Sequence, residues 1–378
     1  MEEIPFARPC LSEEEVAAVT EVLLSGWITT GRETKAFEKE FSRYIGEGIA
    51  VAVSSGTAAL FLALFLAEIG PGDEVIVPPL TFTATANVVE HRGATVRFAD
   101  VDLETGLLDP AAARAAHTER TRALITVPLH GRAAFLEEYA SFAREKNLFH
   151  LTDCAHAIET RVNGRHPVSQ ADMAAFSFYA TKNLTTGEGG MLVVKDQDLA
   201  AKASIAALHG MDRDAYRRYE ADGTPFYDVL LPGYKFNLTN IAAALGRKQL
   251  ALLPKHLRRR EEIWRRYNEA FADLPVTLPP EPPPGDIHAR HIYALRAENR
   301  AERDRLLAEL RRRGIGTAVH FRPVHLFSYY RKKYGYSAGD FPNAEAIGDT
   351  TFSLPMTPYL TDADVERVTE ALRAAFGK

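Results

Sequence analysis

Residues 173–194 read Met-Ala-Ala-Phe-Ser-Phe-Tyr-Ala-Thr-Lys-Asn-Leu-Thr-Thr-Gly-Glu-Gly-Gly-Met-Leu-Val-Val, two apolar segments on either side of a lysine and a glycine turn. The segments 173–178 and 191–194 are largely continuous apolar runs, a pattern typical of strands buried on both faces. Lys182 follows the first segment closely, among aromatic residues. Loss of solvation there would lower the pKa of its amine and make it nucleophilic, as a Schiff-base lysine requires. An ordinary solvated loop lysine is the alternative interpretation.

Five more segments of this kind precede that stretch, and helical patterns separate them. They are residues 49–53, 74–77, 95–99, 123–127 and 148–152. Strands that alternate with helices in this way predict an α/β fold, a mostly parallel seven-stranded sheet between layers of helices. Ahead of the sheet, residues 12–25 predict a helix with a capping box, Ser12 and Glu15, and with Gly26 at its end.

The last third of the chain predicts a second, smaller α/β unit. A helical pattern over about residues 239–272 leads into a proline-rich loop at 274–285. Beyond the loop we expect strands at 291–295 and 315–320 and helices at 300–313 and 362–376. We therefore divide the chain into a large domain, residues 1–250, and a small C-terminal domain, residues 251–378.

Composition excludes several classes of protein. The 378 residues contain 45 Lys and Arg against 50 Asp and Glu, a net charge of −5, which argues against nucleic acid as a partner. Two cysteines, Cys10 and Cys154, exclude a disulfide scaffold and predict a reducing compartment, the cytoplasm. No metal-ligand spacing such as a CxxC pair or HExxH occurs, so we expect no metal.

Targeting and membrane segments are not expected either. Residues 1–3 carry acidic side chains where a signal peptide needs basic ones. The longest apolar run, residues 58–67, is far shorter than the ~20 residues of a membrane-spanning helix, and it predicts a buried helix instead.

Polar and aromatic residues follow other predicted strands at their carboxyl ends, where ligands bind in open α/β sheets. After the first strand, residues 54–57 read Ser-Ser-Gly-Thr and enter a helix, so they offer free backbone N–H groups to a phosphate or form a plain N-cap. Asp153 and His156 follow the fifth strand and could protonate and orient a heterocycle, or Asp153 could cap a turn. Phe82, after the second strand, could lie on an aromatic ligand or pack in the core.

Taken in chain order, these stretches resemble the DegT/StrS family of sugar aminotransferases, pyridoxal-phosphate (PLP) enzymes of fold type I. The similarity covers nearly the whole chain, and the matching stretches are residues 25–31, 54–60, 81–87, 153–156, 176–190, 233–240 and 320–325. Residues 210–216 and 233–237 look most like the members that aminate the 4-position of nucleotide-linked keto sugars.

The resemblance implies a role for particular residues of the large, PLP-binding domain. Lys182 would form the Schiff base with PLP and transfer protons, and Asp153 would pair with the pyridinium nitrogen. Phe82 would stack on the cofactor, and His156 would lie near its phenolic oxygen. The residues that would hold the phosphate are Gly56, Thr57 and Ser177.

The resemblance also implies contacts with the neighbouring subunit and with the sugar substrate. Asn237 would reach the phosphate of the neighbouring subunit, which implies a homodimer with shared active sites. Four residues in loops could touch the sugar or could equally serve packing and capping: Trp27, Thr29, Thr30 and His320.

The implied reaction moves an amino group from an amino acid, L-glutamate in most of the family, to a nucleotide-linked keto sugar, in amino sugar biosynthesis. Dehydratases of the family carry histidine in place of the Schiff-base lysine, so Lys182 favours transamination. One alternative is an aminotransferase for a non-nucleotide ketone such as a keto-cyclitol. Another is a catalytically silent regulatory protein that binds PLP, for which a damaged site would be expected, whereas Lys182 and Asp153 are both present.

Overall fold

A seven-stranded sheet forms the centre of the computed structural model, which describes residues 3–212 and 227–378. Its strands are β1 (Ile49–Val53), β2 (Glu74–Val77), β3 (Thr95–Phe98), β4 (Thr121–Thr126), β5 (Phe149–Asp153), β6 (Met173–Ser177) and β7 (Gly190–Val194). The order across the sheet is β1-β7-β6-β5-β4-β2-β3. Only β7 runs antiparallel to its neighbours, β1 and β6. The predicted fold class is therefore confirmed.

The continuous apolar runs arise because both faces of the sheet are covered. Along β7, Leu192 and Val194 join one hydrophobic core, whereas Met191 and Val193 join another on the opposite face. All seven predicted strands are present; the bounds of β1 and β2 are as predicted, and the ends of the others differ by at most two residues. One of these differences matters, because Asp153 is the last residue of β5 instead of the first residue of the loop.

Helices cover the two faces. In the first part of the chain they are α1 (Glu13–Ser25), α2 (Arg32–Ile45), α3 (Gly56–Leu66), α4 (Thr83–His91), α5 (Pro110–Ala116), α6 (Leu136–Lys146) and α7 (Gln197–Ala207). The capping box of Ser12 and Glu15 is present at α1, and Gly26 ends that helix. The apolar run 58–67 lies in α3, which packs against β6, β7, α4 and α7 and is buried on nearly every side.

The C-terminal part contains a two-stranded antiparallel sheet. Its elements are α8 (Asn240–Phe271), β8 (Tyr293–Arg296), α9 (Arg300–Arg312), α10 (Ser328–Tyr334), α11 (Pro342–Thr350), β9 (Thr351–Leu354) and α12 (Asp362–Ala375).

The predicted strand at 315–320 is wrong. Ile315 bridges Ile4 and Ala318 bridges Ser353, so this segment pairs with two different partners and forms no continuous ladder. The partner of β8 is β9, which sequence reasoning missed.

Helix α8 runs without a break across the predicted domain boundary at residue 250. Its first half contributes Leu250 and Leu253 to a core shared with β7. Its second half contributes Ile263 and Tyr267 to the core of the small sheet. One helix thus joins both cores, and the division at 250 and 251 stays a prediction. Within the described ranges, no helix is both long and apolar enough to cross a membrane.

Candidate active site

A cavity of about 490 Å³ lies at the carboxyl ends of the parallel strands. Its lining includes eight of the residues that sequence analysis singled out: Gly56, Thr57, Phe82, Asp153, His156, Ser177, Lys182 and His320. These residues come from five separate stretches of the chain, and the sheet topology brings them together.

The start of α3 forms an anion cradle at one end of the cavity. Ser55 caps the helix, because its Oγ accepts from the Ala58 N–H at 3.0 Å and its carbonyl accepts from the Ala59 N–H. Within the described part of the chain, the N–H groups of Gly56 and Thr57 have no acceptor, and they lie at the positive end of the helix dipole. A Cβ at Gly56 would come within 2.8 Å of the Cβ of Ser177, so glycine permits this close approach.

Asp153 presents a buried carboxylate at the end of β5. Its Oδ2 accepts from the Thr85 hydroxyl at 2.8 Å, and its Oδ1 accepts from the Ala155 N–H at 3.2 Å. The Thr85 hydroxyl therefore accepts in turn from Thr81, whose Oγ1 lies 2.9 Å away. Burial raises the pKa of Asp153, and these hydrogen bonds together with the charge of Lys182 oppose that rise.

Lys182 lies on the turn that follows β6, where its backbone N–H donates to the Tyr179 carbonyl at 2.9 Å. Burial lowers the pKa of its amine to about 8, and the charge of Asp153 acts in the opposite direction. A fraction of the amine is consequently neutral near neutral pH, which is the form that can attack a carbonyl.

Phe82 immediately precedes α4, at the cavity wall. Its side chain is 59% exposed, and its ring centroid is 6.2 Å from that of Phe321. This exposure rules out core packing as its role, and it leaves an aromatic face free for a flat ligand.

Histidines also line the cavity, among them His291, which sequence analysis missed, and His130, which it missed as well, contacts His156 from outside the lining. His156 accepts at Nδ1 from the backbone N–H of His130 (3.3 Å), and its ring centroid is 4.4 Å from that of His291. His320 contacts the Ser353 hydroxyl through Nδ1 at 2.9 Å. Burial lowers the pKa of His130 to about 4 and that of His320 to about 3, so both rings are neutral at physiological pH.

Four predicted site residues do not line this cavity: Trp27, Thr29, Thr30 and Asn237. They form a separate network. The Asn237 amide donates to the Thr30 hydroxyl at 2.7 Å, and that hydroxyl donates to the Leu238 carbonyl at 2.6 Å. The Trp27 indole donates to the Thr30 carbonyl at 3.0 Å, and Thr29 accepts from the Asn240 N–H. Of the stretch 210–216, residues 213–216 lie outside the described residues.

The donor set of the cavity fits PLP. An amine with a lowered pKa faces the site, a buried carboxylate can hold a ring nitrogen, and two backbone N–H groups with the hydroxyls of Thr57 and Ser177 can hold a phosphate. Over residues 3–212 and 227–378, no group of three or more His, Cys, Asp and Glu side chains is placed to hold a metal ion.

Comparisons with known proteins found a matching family and several similar structures. The family model described as the DegT/DnrJ/EryC1/StrS aminotransferase family matches residues 9–373. SpsC of Bacillus subtilis, a spore coat polysaccharide biosynthesis protein, is 45% identical over 374 residues, which are 98% of this chain and 96% of SpsC.

Solved structures are similar over the whole length. Spr1654 of Streptococcus pneumoniae, assigned as a sugar aminotransferase, has a TM-score of 0.92 in its PMP-form at 34% identity, and the match covers 98% of both chains. Its PLP-form matches with a TM-score of 0.91 at 33% identity over 99% of this chain and 98% of the other. PseC of Helicobacter pylori, an aminotransferase involved in the biosynthesis of pseudoaminic acid, has a TM-score of 0.91 at 29% identity over 100% of both chains.

Replacing Lys182 by alanine tests its assignment as the reactive amine. We expect Lys182→Ala to fold, to lose the visible absorbance of the PLP-loaded protein and to lose turnover by about 10³-fold or more, because no other described lysine lines the cavity. Absorbance spectra and a transamination assay measure both effects. The exposed Lys39 provides the control, and Lys39→Ala should keep both properties. Retention of both in Lys182→Ala would refute the assignment.

The lowered pKa of Lys182 also predicts a pH dependence of stability in the cofactor-free protein. The unfolded chain holds a proton on this lysine up to about pH 10.4, whereas the folded chain releases it near pH 8, so the free energy of unfolding rises with pH between these values. Relative to Lys182→Met, the wild type should gain about 1–3 kcal/mol over that interval. Denaturant titrations at several pH values measure the difference.

The matched control is Lys39→Met, at an exposed position. Its stability relative to the wild type should stay within about 0.5 kcal/mol across the same interval. A flat difference for Lys182→Met as well would show that the amine is not desolvated in the folded protein.

Proposed function

The chain belongs to the DegT/DnrJ/EryC1/StrS aminotransferase family, and from this premise we propose that it transfers the amino group of L-glutamate to the 4-position of a nucleotide-linked keto sugar. As a PLP-dependent sugar aminotransferase it takes an amino donor and a keto sugar acceptor. The observation that carries PLP-dependent transamination is the meeting of Lys182, Asp153 and the start of α3 in one cavity.

The mechanism follows from what each residue can hold or move. Bound PLP supplies a carbonyl that exchanges amines and a ring that withdraws electrons from the carbon next to nitrogen. The amine of Lys182 would move the proton at the α-carbon of the donor, for which a pKa of about 8 is well matched. Asp153 would keep a proton on the ring nitrogen, because a buried carboxylate is stabilised by a cationic partner.

The remaining site residues bind and orient the cofactor. Gly56, Thr57 and Ser177 would hold the phosphate, and Phe82 would stack on the ring. His156 has Nδ1 occupied as an acceptor, so its neutral ring presents Nε2–H to the cofactor's phenolic oxygen.

Three observations support a nucleotide-linked 4-keto sugar as acceptor. The stretch 233–237 looks most like the members that aminate such sugars, and SpsC, a relative at 45% identity, is named for polysaccharide biosynthesis. The exposed Arg8 lies in the cavity lining, where a guanidinium suits a diphosphate. We assign His320, on the same lining, to sugar contact.

A homodimer with shared active sites is part of this proposal. Asn237 does not line the cavity of its own chain, and its amide donates to the Thr30 hydroxyl. Asn237 of the partner subunit would then complete the phosphate site, and Trp27, Thr29 and Thr30 would position it.

Cys10 and Cys154 are both free thiols, which supports the cytoplasm as the compartment.

A substrate panel tests the proposed acceptor. The PLP-loaded protein should lose its visible absorbance on addition of L-glutamate, and UDP- or dTDP-linked 4-keto-6-deoxyhexoses should then restore it. We expect the nucleotide sugars to exceed a keto-inositol by about tenfold or more in kcat/KM, because the diphosphate adds binding contacts. Turnover of the keto-inositol alone would contradict the proposed acceptor. Absence of any spectral change with L-glutamate would support the silent regulatory alternative.

Mixed dimers test the sharing of active sites. Lys182→Ala and Asn237→Ala should each be impaired alone. After random exchange of subunits, about one quarter of the wild-type activity should return, because half of the dimers are mixed and each contains one intact site. The control mixture is Lys182→Ala with Asp153→Asn, which lie in the same cavity of one chain. No recovery in the first mixture would place Asn237 outside the active site of the partner.

A further inference from the structure

A directional chain of hydrogen bonds begins beside Lys182. The next residue, Asn183, donates through Nδ2 to the Ala289 carbonyl and to Glu159 Oε2, both at 2.9 Å. A carbonyl only accepts, so the orientation of the amide is determined and its Oδ1 must be an acceptor. His291 Nδ1 lies 2.9 Å from that Oδ1 and therefore carries the proton.

A buried ion pair holds this chain in place. Arg260 donates through Nη2 to Glu159 and through Nε to the Ala289 carbonyl, and both charged side chains are almost fully buried. Burying two charges is costly unless their hydrogen bonds are well satisfied. The transamination mechanism assigns no role to this ion pair. Orienting the amide of Asn183 would be such a role.

The chain leaves His291 with a bare lone pair at Nε2. Burial lowers the pKa of its imidazole well below the ordinary value, and the positive charge of Lys182 adds to this effect. The ring is therefore neutral, with its single proton on Nδ1. In the part of the chain that the structure describes, no protein group donates to Nε2, and His291 lines the same cavity as Lys182.

We propose that Nε2 of His291 accepts a hydrogen bond from a sugar hydroxyl next to the reacting carbonyl. His291 is then a specificity-determining residue, and Asn183, Glu159 and Arg260 are positioning residues. The identity of the ligand as a sugar rests on the proposed function. An ionised carboxylate of the amino donor has no proton to offer the lone pair, whereas every sugar hydroxyl has one. Because an imidazole with such a low pKa is a weak base, His291 binds the hydroxyl and does not remove its proton.

The experiment compares two substitutions of His291 that each preserve one of its nitrogens. His291→Asn keeps an N–H toward Asn183 and removes the acceptor at the Nε2 position. His291→Gln places an amide oxygen near Nε2 and gives up the bond to Asn183. The exposed His91 provides the control substitution, His91→Asn. The probes are L-glutamate, a dTDP-linked 4-keto-6-deoxyhexose and its 3-deoxy analogue.

For His291→Asn we expect kcat/KM with the hydroxylated sugar to fall about tenfold or more, because an unmade hydrogen bond leaves the hydroxyl unpaired. The 3-deoxy analogue and the reaction with L-glutamate should stay within about twofold of the wild type. His291→Gln should recover part of the preference for the hydroxyl. Equal losses with both sugars, or an equal loss with L-glutamate, would overturn the proposal, because His291 would then act on Lys182 or on the fold.

A second measurement does not depend on the substrate. In the PLP-loaded protein labelled with ¹⁵N-histidine, the resonances absent from His291→Asn identify His291. We expect protonated Nδ1 and unprotonated Nε2 between about pH 6 and 8. A proton on Nε2 would overturn the proposal. If the wild type accepts neither nucleotide sugar, the proposed function fails. The NMR measurement still shows which nitrogen of His291 carries the proton. The preference for a hydroxyl is then measured with keto-inositol and its deoxy analogue.

The role of the ion pair is tested with Glu159→Gln. Its amide can donate as well as accept, so the Ala289 carbonyl alone then holds Asn183 in its orientation, and a part of His291 should change to the other tautomer. The preference for the hydroxylated sugar should fall with it, while the reaction with L-glutamate persists. If both the tautomer of His291 and the preference for the hydroxylated sugar stay unchanged, Glu159 and Arg260 do not position His291.

Discussion

The burial of an amine beside a carboxylate at the ends of two adjacent parallel strands governs the rest of this structure. Asp153 ends β5, and it pairs in register with Ala175 of β6, whose following turn carries Lys182. Water would screen both charges, so their pKa shifts require a dry site, and a dry site requires a sheet covered on both faces. The continuous apolar strands are therefore as necessary for these pKa shifts as the two charged residues themselves.

Close backbone approaches complete the site from elements far apart in the sequence. The antiparallel strand β7 starts at Gly190, where a Cβ would come within 2.4 Å of the Ser55 carbonyl. Gly56 approaches Ser177 in a similar way. These two contacts bring the start of α3 against the turn that carries Lys182. Helix α8 connects the core of the main sheet to the small sheet, next to which His291 and His320 meet the cavity.

The hydrophobic pattern of the sequence predicted the seven-stranded sheet well, because each strand is a continuous apolar run that indicates burial on both faces. It failed at residues 315–320, where an apolar β-branched run pairs with two partners in turn, and it missed β9, a short segment directly after a helix. In the site, the resemblance supplied Asn237, which no argument from the residues alone had found. His130, His291 and the threonines that support Asp153 were missed, since a histidine in a sequence shows neither its neighbours nor its tautomer.

The sequence by itself determined which segments are buried strands, that a lysine and an aspartate follow or end two of them, and to which family the chain is similar. These properties depend on the side chains of a few consecutive residues. Only the tertiary structure decided that Trp27, Thr29, Thr30 and Asn237 do not line the cavity of their own chain, and that His291 does line it, with no donor to its Nε2 among the described residues. The hydrogen bond between Asn183 and His291 joins residues 108 positions apart, and such pairings arise from packing that no local pattern contains.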